Sequence, residues 1–255
     1  MLYVANWKMN PPSLNDAKRL LKNIRTGINT GVKDKKTQII ICPPAIFLTK
    51  LGRPSSLIKF GIQNIGSKER GAFTGEISVL MAADANVEYC LVNHSERKLY
   101  FNETTRDANQ KIKLCLEKRI TPIFCIGESQ KQFKKGKTKP ALENQLKQGL
   151  KDIGIMNIKK VILAYEPLWA ISSQKGAKAE NPDQILGINI LIRKILFGLY
   201  DQKIARETKI LYGGSVAPKN AALYVKNKSI DGFLIGSASL NSFSFLNIIK
   251  NCQKN

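Results

Sequence analysis

The sequence predicts an α/β protein built as a single (β/α)8 barrel, and three observations carry that expectation. Its length, 255 residues, suits one barrel, since such barrels commonly run to about 200–250 residues as a unit. Short apolar runs recur at Leu2–Trp7, Gln38–Cys42, Ile58–Gln63, Tyr89–Val92, Pro122–Ile126, Val161–Tyr165, Lys209–Tyr212 and Gly232–Ile235. They are rich in Ile, Val, Leu, Phe and Tyr without long polar alternation, as strands buried on both faces of a parallel sheet are. Amphipathic stretches separate them, giving one strand–helix unit about every 32 residues. No composition shift or Pro/Ser-rich linker marks a boundary, so residues 1–255 are read as one domain. An open, doubly wound sheet of eight strands is the alternative.

The intervening helices have local signals. Ser13 is placed to N-cap a helix with Leu14, Ala17, Leu20, Leu21 and Ile24 at helical spacing. Glu103–Leu116, Ala141–Ile153 and Pro182–Leu199 have the same periodicity. The last opens with Pro182 at a helix start and Asp183 in its first turn, both favourable there.

Composition excludes disordered, collagenous and coiled-coil chains, with 43% apolar and 24% charged residues. Lys and Arg number 41 against 19 Asp and Glu, a formal charge of +22 that favours anionic partners. The densest basic run, Lys131–Lys139, holds a single aromatic residue, Phe133. A solvated basic surface therefore explains the charge better than a dedicated nucleic-acid groove, which would interleave aromatics. Cys42, Cys90, Cys115, Cys125 and Cys252 form no CxxC pair, and His94 is the only histidine, so no metal site is expected. Nor is there a Rossmann glycine fingerprint, which points to chemistry without a cofactor. The chain opens directly on a strand-like run and has no apolar stretch near the ~18 residues of a membrane span, so no membrane partner is expected and the cytoplasm fits best.

In a parallel α/β barrel, function sits at the carboxyl ends of the strands. The first run ends in Asn6-Trp7-Lys8 and the fourth in Asn93-His94-Ser95-Glu96-Arg97. The sixth ends in Glu166-Pro167-Leu168-Trp169, the seventh in Gly213-Gly214-Ser215 and the eighth in Gly236-Ser237-Ala238. Singly, each has a plain structural reading: His94 as a cap, Glu166 as an ion-pair partner of Lys8 or Arg97, the glycines as tight turns. Together they place a base, an imidazole, a cation and two small-residue turns on one rim. Glu166 could take a proton from carbon beside a carbonyl. His94, Lys8 and Asn6 could polarise that carbonyl and stabilise an enediolate. Backbone N–H groups after the last two strands would hold a phosphate.

These residues closely resemble the triosephosphate isomerase family. The resemblance spans essentially the whole chain through Asn6-Trp7-Lys8-Met9-Asn10, Gly71-Ala72-Phe73-Thr74-Gly75-Glu76, His94-Ser95-Glu96-Arg97 and Cys125-Ile126-Gly127-Glu128. It continues through Ala164-Tyr165-Glu166-Pro167-Leu168-Trp169-Ala170, Tyr212-Gly213-Gly214-Ser215 and Asp231-Gly232-Phe233-Leu234. That family is itself the standard example of a glutamate base working with a neutral histidine electrophile. The resemblance implies that Glu166 shuttles a proton between C1 and C2 of dihydroxyacetone phosphate, with His94 as electrophile and Lys8 and Asn6 as further polar contacts. It implies that Glu96 holds Lys8 or its neighbours and that amides of Ser172, Ser215, Gly236 and Ser237 bind the phosphate. Ile171 and Leu234 would cover the base, drying it and raising its basicity, while Tyr212 and Ser215 would latch a closed lid. Residues 64–78, with Thr74 near the tip, would reach into a second subunit of a homodimer.

Four departures from the family pattern stand out. Asn93 replaces the usual glycine before the histidine, and Lys98 replaces an arginine. Gly236-Ser237 stands for Gly-Gly. The lid reads Ala170-Ile171-Ser172-Ser173-Gln174 in place of Ala-Ile-Gly-Thr-Gly and is about three residues longer, so both its glycines, with their easy access to φ > 0, are lost. Intact chemistry with altered lid kinetics is expected, leaking enediolate to methylglyoxal and phosphate.

Overall fold

Period-two alternation along eight parallel strands builds the barrel. The computed structural model describes residues 1–32, 34, 36–169, 181–226 and 230–253. Its strands are β1 (Leu2–Asn6), β2 (Gln38–Cys42), β3 (Ile58–Ile62), β4 (Tyr89–Val92), β5 (Thr121–Ile126), β6 (Ile162–Tyr165), β7 (Ile210–Tyr212) and β8 (Gly232–Ile235). They pair in sequence order and close through Leu2↔Gly232 and Tyr3↔Phe233, which excludes the open sheet.

Val4, Ile40, Leu91, Ile123, Ala164 and Leu211 point into the barrel and fill it. Their strand neighbours Tyr3, Ile39, Phe124, Leu163 and Phe233 pack outward under the helices. Both faces are therefore apolar, which is why the strand sequences read as continuous hydrophobic runs. The alternation also dictates the rim. Two residues beyond the inward positions Val4, Leu91, Cys125, Ala164 and Leu211 come Asn6, Asn93, Gly127, Glu166 and Gly213.

The helices are α1 (Leu14–Gly31), α2 (Ala45–Leu48), α3 (Val79–Asp84), α4 (Ser95–Phe101), α5 (Thr105–Glu117), α6 (Gln130–Lys134), α7 (Thr138–Gly149), α8 (Ile155–Ile158), α9 (Pro182–Leu199), α10 (Gln202–Glu207), α11 (Ala221–Val225) and α12 (Ser242–Gln253), with a 3-10 turn at Ser237–Leu240. Ser13 caps α1 by accepting the Asp16 N–H at 3.1 Å, and Ala17, Leu21, Ile24 and Ile28 form its buried stripe. Asn181 forms a capping box at the start of α9, with Pro182 at its first position. No helix among the described residues is long and apolar enough to cross a membrane.

Two helices differ from their expected bounds. The expected Glu103–Leu116 helix starts at Thr105, because Thr104 and Asp107 form a capping box that leaves Glu103 outside. The expected Ala141–Ile153 helix runs Thr138–Gly149. Pro140 sits in its first turn, where a missing N–H costs little, and Leu150 ends it before Asp152 turns to φ 60°.

Freed from the helix, Glu103 is the buried hub of the β4 end. Its Oε1 accepts the Asn93 N–H at 3.1 Å, and its Oε2 takes Arg97 Nε at 2.5 Å and Lys111 Nζ at 2.6 Å. Its side chain is 4% exposed and that of Lys111 5%, so removing one partner strands the other in low dielectric. Glu103→Ala is expected to lower unfolding free energy by about 3–5 kcal/mol. Urea denaturation checks this, and a loss under about 1 kcal/mol, the range of exposed pairs, contradicts it.

Candidate active site

His94 caps the N-terminus of α4, and this fixes its tautomer. The Glu96 backbone N–H donates to His94 Nδ1 at 3.3 Å, so Nδ1 carries no proton and Nε2 is the ring's donor. That Nε2 lies 3.1 Å from Glu166 Oε1. Asn93, in left-handed conformation at φ 62°, turns the chain from β4 into this cap, and its Nδ2 donates to the Cys125 carbonyl at 3.0 Å. Asparagine adopts this region more readily than most residues, so it serves where the family pattern has glycine.

Glu166 is 1% exposed. Two flanking glycines make its seat: a Cβ on Gly127 would lie 1.9 Å from the Glu166 carbonyl oxygen, and one on Gly213 would lie 2.7 Å from Glu166 Cγ. The Ser95 N–H donates to Glu166 Oε2 at 3.1 Å. Burial alone would push this carboxyl up; His94, then Lys98 and the Ser95 N–H outweigh it and hold it below the ordinary carboxylate range. Raised basicity was expected under the cover of Ile171 and Leu234. Leu234 is buried in the inner wall, opposite Gly213 by continuation of the Tyr212↔Phe233 register. Ile171 and Ser172 lie outside the described residues, as does the rest of the lid sequence from Ala170.

Lys8 faces the same rim from β1. Its Nζ is 2.6 Å from Glu96 Oε1, while Glu96 Oε2 is 3.7 Å from His94 Nδ1. The Lys8 backbone sits at φ 53°, an uncommon conformation for a residue with a side chain. Asn6 Oδ1 accepts the Lys8 N–H at 3.0 Å, and the Gln63 amide donates to the Lys8 and Cys42 carbonyls at 2.8 and 2.9 Å. Asn6, Lys8, His94, Glu96 and Glu166 are thus linked by short contacts across β1, β4 and β6.

The small-residue turns close the other side of the rim. Ser215 follows Gly213 and Gly214, and its carbonyl accepts from Asn220 Nδ2 at 3.0 Å. Gly236 caps the 3-10 turn, its carbonyl accepting the Ser239 N–H at 2.9 Å, and Ser237 is exposed at the turn's start. Tyr212 is fully buried, with its ring 4.8 Å from that of Tyr224. After β5, α6 carries Lys131 and Lys134 of the basic run, and Phe133 stacks on Trp169 at 4.4 Å between centroids. Glu128, also fully buried, accepts from the Tyr165 hydroxyl at 3.0 and 3.2 Å, yet burial pushes its carboxyl up. Thr74 lies at the exposed tip of the β3–α3 loop. Beside it a cleft of about 490 Å3 is lined by Arg70, Phe73, Met81, Arg97 and Phe101 among others.

A sequence model of the triosephosphate isomerase family matches residues 1–252. The chain belongs to the triosephosphate isomerase family. It is 38% identical over 251 residues to the triosephosphate isomerase of Dictyoglomus thermophilum, covering 98% of each chain. Identity to that of Endomicrobium trichonymphae is 39% over 251 residues, covering 98% of this chain and 97% of the relative. The Clostridium tetani protein of that name is 35% identical over 250 residues, with 97% and 95% coverage.

Gln63, Ser95, Lys98 and Glu103 were not singled out from sequence as site residues. Ser95 had one signal, its place one residue after His94 at a helix start. The Gly127–Glu166–Gly213 seat generates a test. Gly213→Ala forces Glu166 Cγ to move and is expected to break the Nε2–Oε1 contact at an overpacking cost of about 1–3 kcal/mol. A crystal structure of the variant with that contact intact contradicts the assignment of the seat.

Proposed function

We propose that the chain interconverts dihydroxyacetone phosphate and D-glyceraldehyde 3-phosphate, acting as a single barrel domain over residues 1–255. One observation carries this reading: a buried carboxylate, Glu166, lies against the protonated Nε2 of a histidine whose other nitrogen is engaged by a backbone N–H. A base and a neutral electrophile in contact suit proton abstraction beside a carbonyl.

Glu166 removes a proton from C1 of dihydroxyacetone phosphate while His94 Nε2–H hydrogen-bonds the C2 carbonyl oxygen. The electron pair of the broken C–H bond forms the C1–C2 double bond, and the carbonyl oxygen becomes the enediolate oxygen. Protonated Glu166 then returns its proton to C2, while His94 Nε2 gives its proton to the C2 oxygen and takes the one on the C1 hydroxyl, leaving a hydroxyl at C2, an aldehyde at C1 and the imidazole neutral again. Lys8 and Asn6 supply charge and polar contact to the developing oxyanion. Amides of Ser215, Gly236 and Ser237, with Ser172 from the lid sequence, hold the phosphate. Glu96 positions Lys8, and Tyr212, Ile171 and Leu234 serve closure over the base. No step needs a metal or cofactor. The chain's positive charge steers a dianionic substrate inward.

The same reading makes the active protein a homodimer in the cytoplasm, serving glycolysis and gluconeogenesis. Phe73, Met81, Tyr100 and Phe101 are exposed around the cleft beside the Thr74 loop, an apolar surface that a second copy would cover. The five free thiols are all buried, which suits a reducing compartment.

Assay of glyceraldehyde 3-phosphate isomerisation tests the reading, with gel filtration of the same samples. Glu166→Gln is expected to keep the dimer and to lose about a thousandfold or more in kcat, the upper range for a general base. An unchanged rate in the variant, or a well-folded parent protein that does not isomerise the substrate, overturns it.

A further inference from the structure

The helix that His94 caps carries a buried cation that the proposed mechanism leaves unused. Lys98 is on α4, one turn past His94, and its Nζ is buried with no hydrogen-bond partner among the described residues. A buried ammonium without acceptors carries a large desolvation cost, so its surroundings must compensate through charge. The other cations nearby are committed: Lys8 to Glu96 at 2.6 Å, and Arg97 and Lys111 to Glu103 at 2.5 and 2.6 Å. Glu166 is the opposite case, a buried carboxylate whose close partners are an imidazole, one backbone N–H and the Cys125 thiol, with no Lys or Arg among them.

We propose that Lys98 is a positioning residue, the buried counter-charge that holds Glu166 ionised through space without bonding to it. The inference rests on the proposal that Glu166 is the base. The charged and titratable groups around the pair come from every neighbouring element. His94 and Glu96 are on the β4–α4 segment, Cys125 and Glu128 on and after β5, Glu103 and Lys111 before and on α5, and Lys8 after β1. Burial keeps the Cys125 thiol well above its ordinary value and Glu128 is also pushed up, so neither supplies a cation. Burial lowers Lys98 itself, and Glu166 is the foremost group favouring its charged form. The substitution against the family pattern fits this role. Arginine's five-donor fork reaches acceptors directly, whereas lysine acts as a point charge.

The test is a 13C NMR titration of protein labelled at the glutamate carboxyl carbons, with the Glu166 signal identified by its loss in Glu166→Gln. An opposite charge lowers a carboxyl pKa, so removing it raises the midpoint. Lys98→Met is expected to move the Glu166 midpoint up by about one pH unit. Lys98→Gln, neutral and more soluble, is expected to do the same and serves where the methionine variant fails to fold. Lys98→Arg is expected to leave the midpoint close to that of the parent. Neutral variants that lower stability without moving the midpoint, or an arginine variant that shifts it as they do, overturn the proposal. Isomerase assays on Glu166→Gln separate the two layers. An inactive variant with an unmoved midpoint rejects Lys98 alone, whereas an active one rejects Glu166 as base.

Discussion

The hydrogen bond from the Glu96 N–H to His94 Nδ1 is the constraint on which the site depends. It determines which ring nitrogen holds the proton and therefore what faces Glu166. Were the proton on Nδ1, that bond would be lost, and a bare Nε2 would meet a carboxylate oxygen 3.1 Å away, two acceptors in conflict. The bond exists because α4 begins where β4 ends, with Asn93 at φ 62° making the turn. Glu103 anchors that turn by accepting the Asn93 N–H. A network of tertiary contacts thus converts an ordinary helix cap into a directed donor.

Charge around the site is arranged in graded contact. Lys8 and Glu96 are paired and partly exposed, with side chains 21% and 24% accessible, where screening weakens the attraction. Glu103, Arg97 and Lys111 form a tighter group deeper in the protein. Glu166 has no Lys or Arg at contact distance among the described residues; its oxygens meet only the His94 ring, the Ser95 N–H and the Cys125 thiol. A direct ion pair would hold it more firmly and oppose proton transfer.

Much of this was legible in the sequence, for identifiable reasons. All eight apolar runs became strands because both their faces are buried, which erases polar alternation. Asn6, His94 and Glu166 were legible as rim residues because they follow those runs directly. The ends of α5 and α7 were less so: Glu103 looks helical until its carboxylate is seen bound to Arg97, Lys111 and Asn93. Gly213 was read as part of a phosphate cradle, yet the structure also makes it the space beside Glu166 Cγ, which depends on strand register. Gln63 carries no motif of its own, and Lys98 stands out in the sequence only as a replacement for an arginine; their contacts or isolation arise only when distant segments meet.

Because His94 is the only histidine, its ring can be observed without competing signals. The decisive measurement is 15N NMR of the histidine-labelled protein at neutral pH. A neutral ring with a protonated Nε2 and a bare, hydrogen-bonded Nδ1 is the result this account predicts. Protonation of both nitrogens, or a proton on Nδ1 with Nε2 bare, would contradict it.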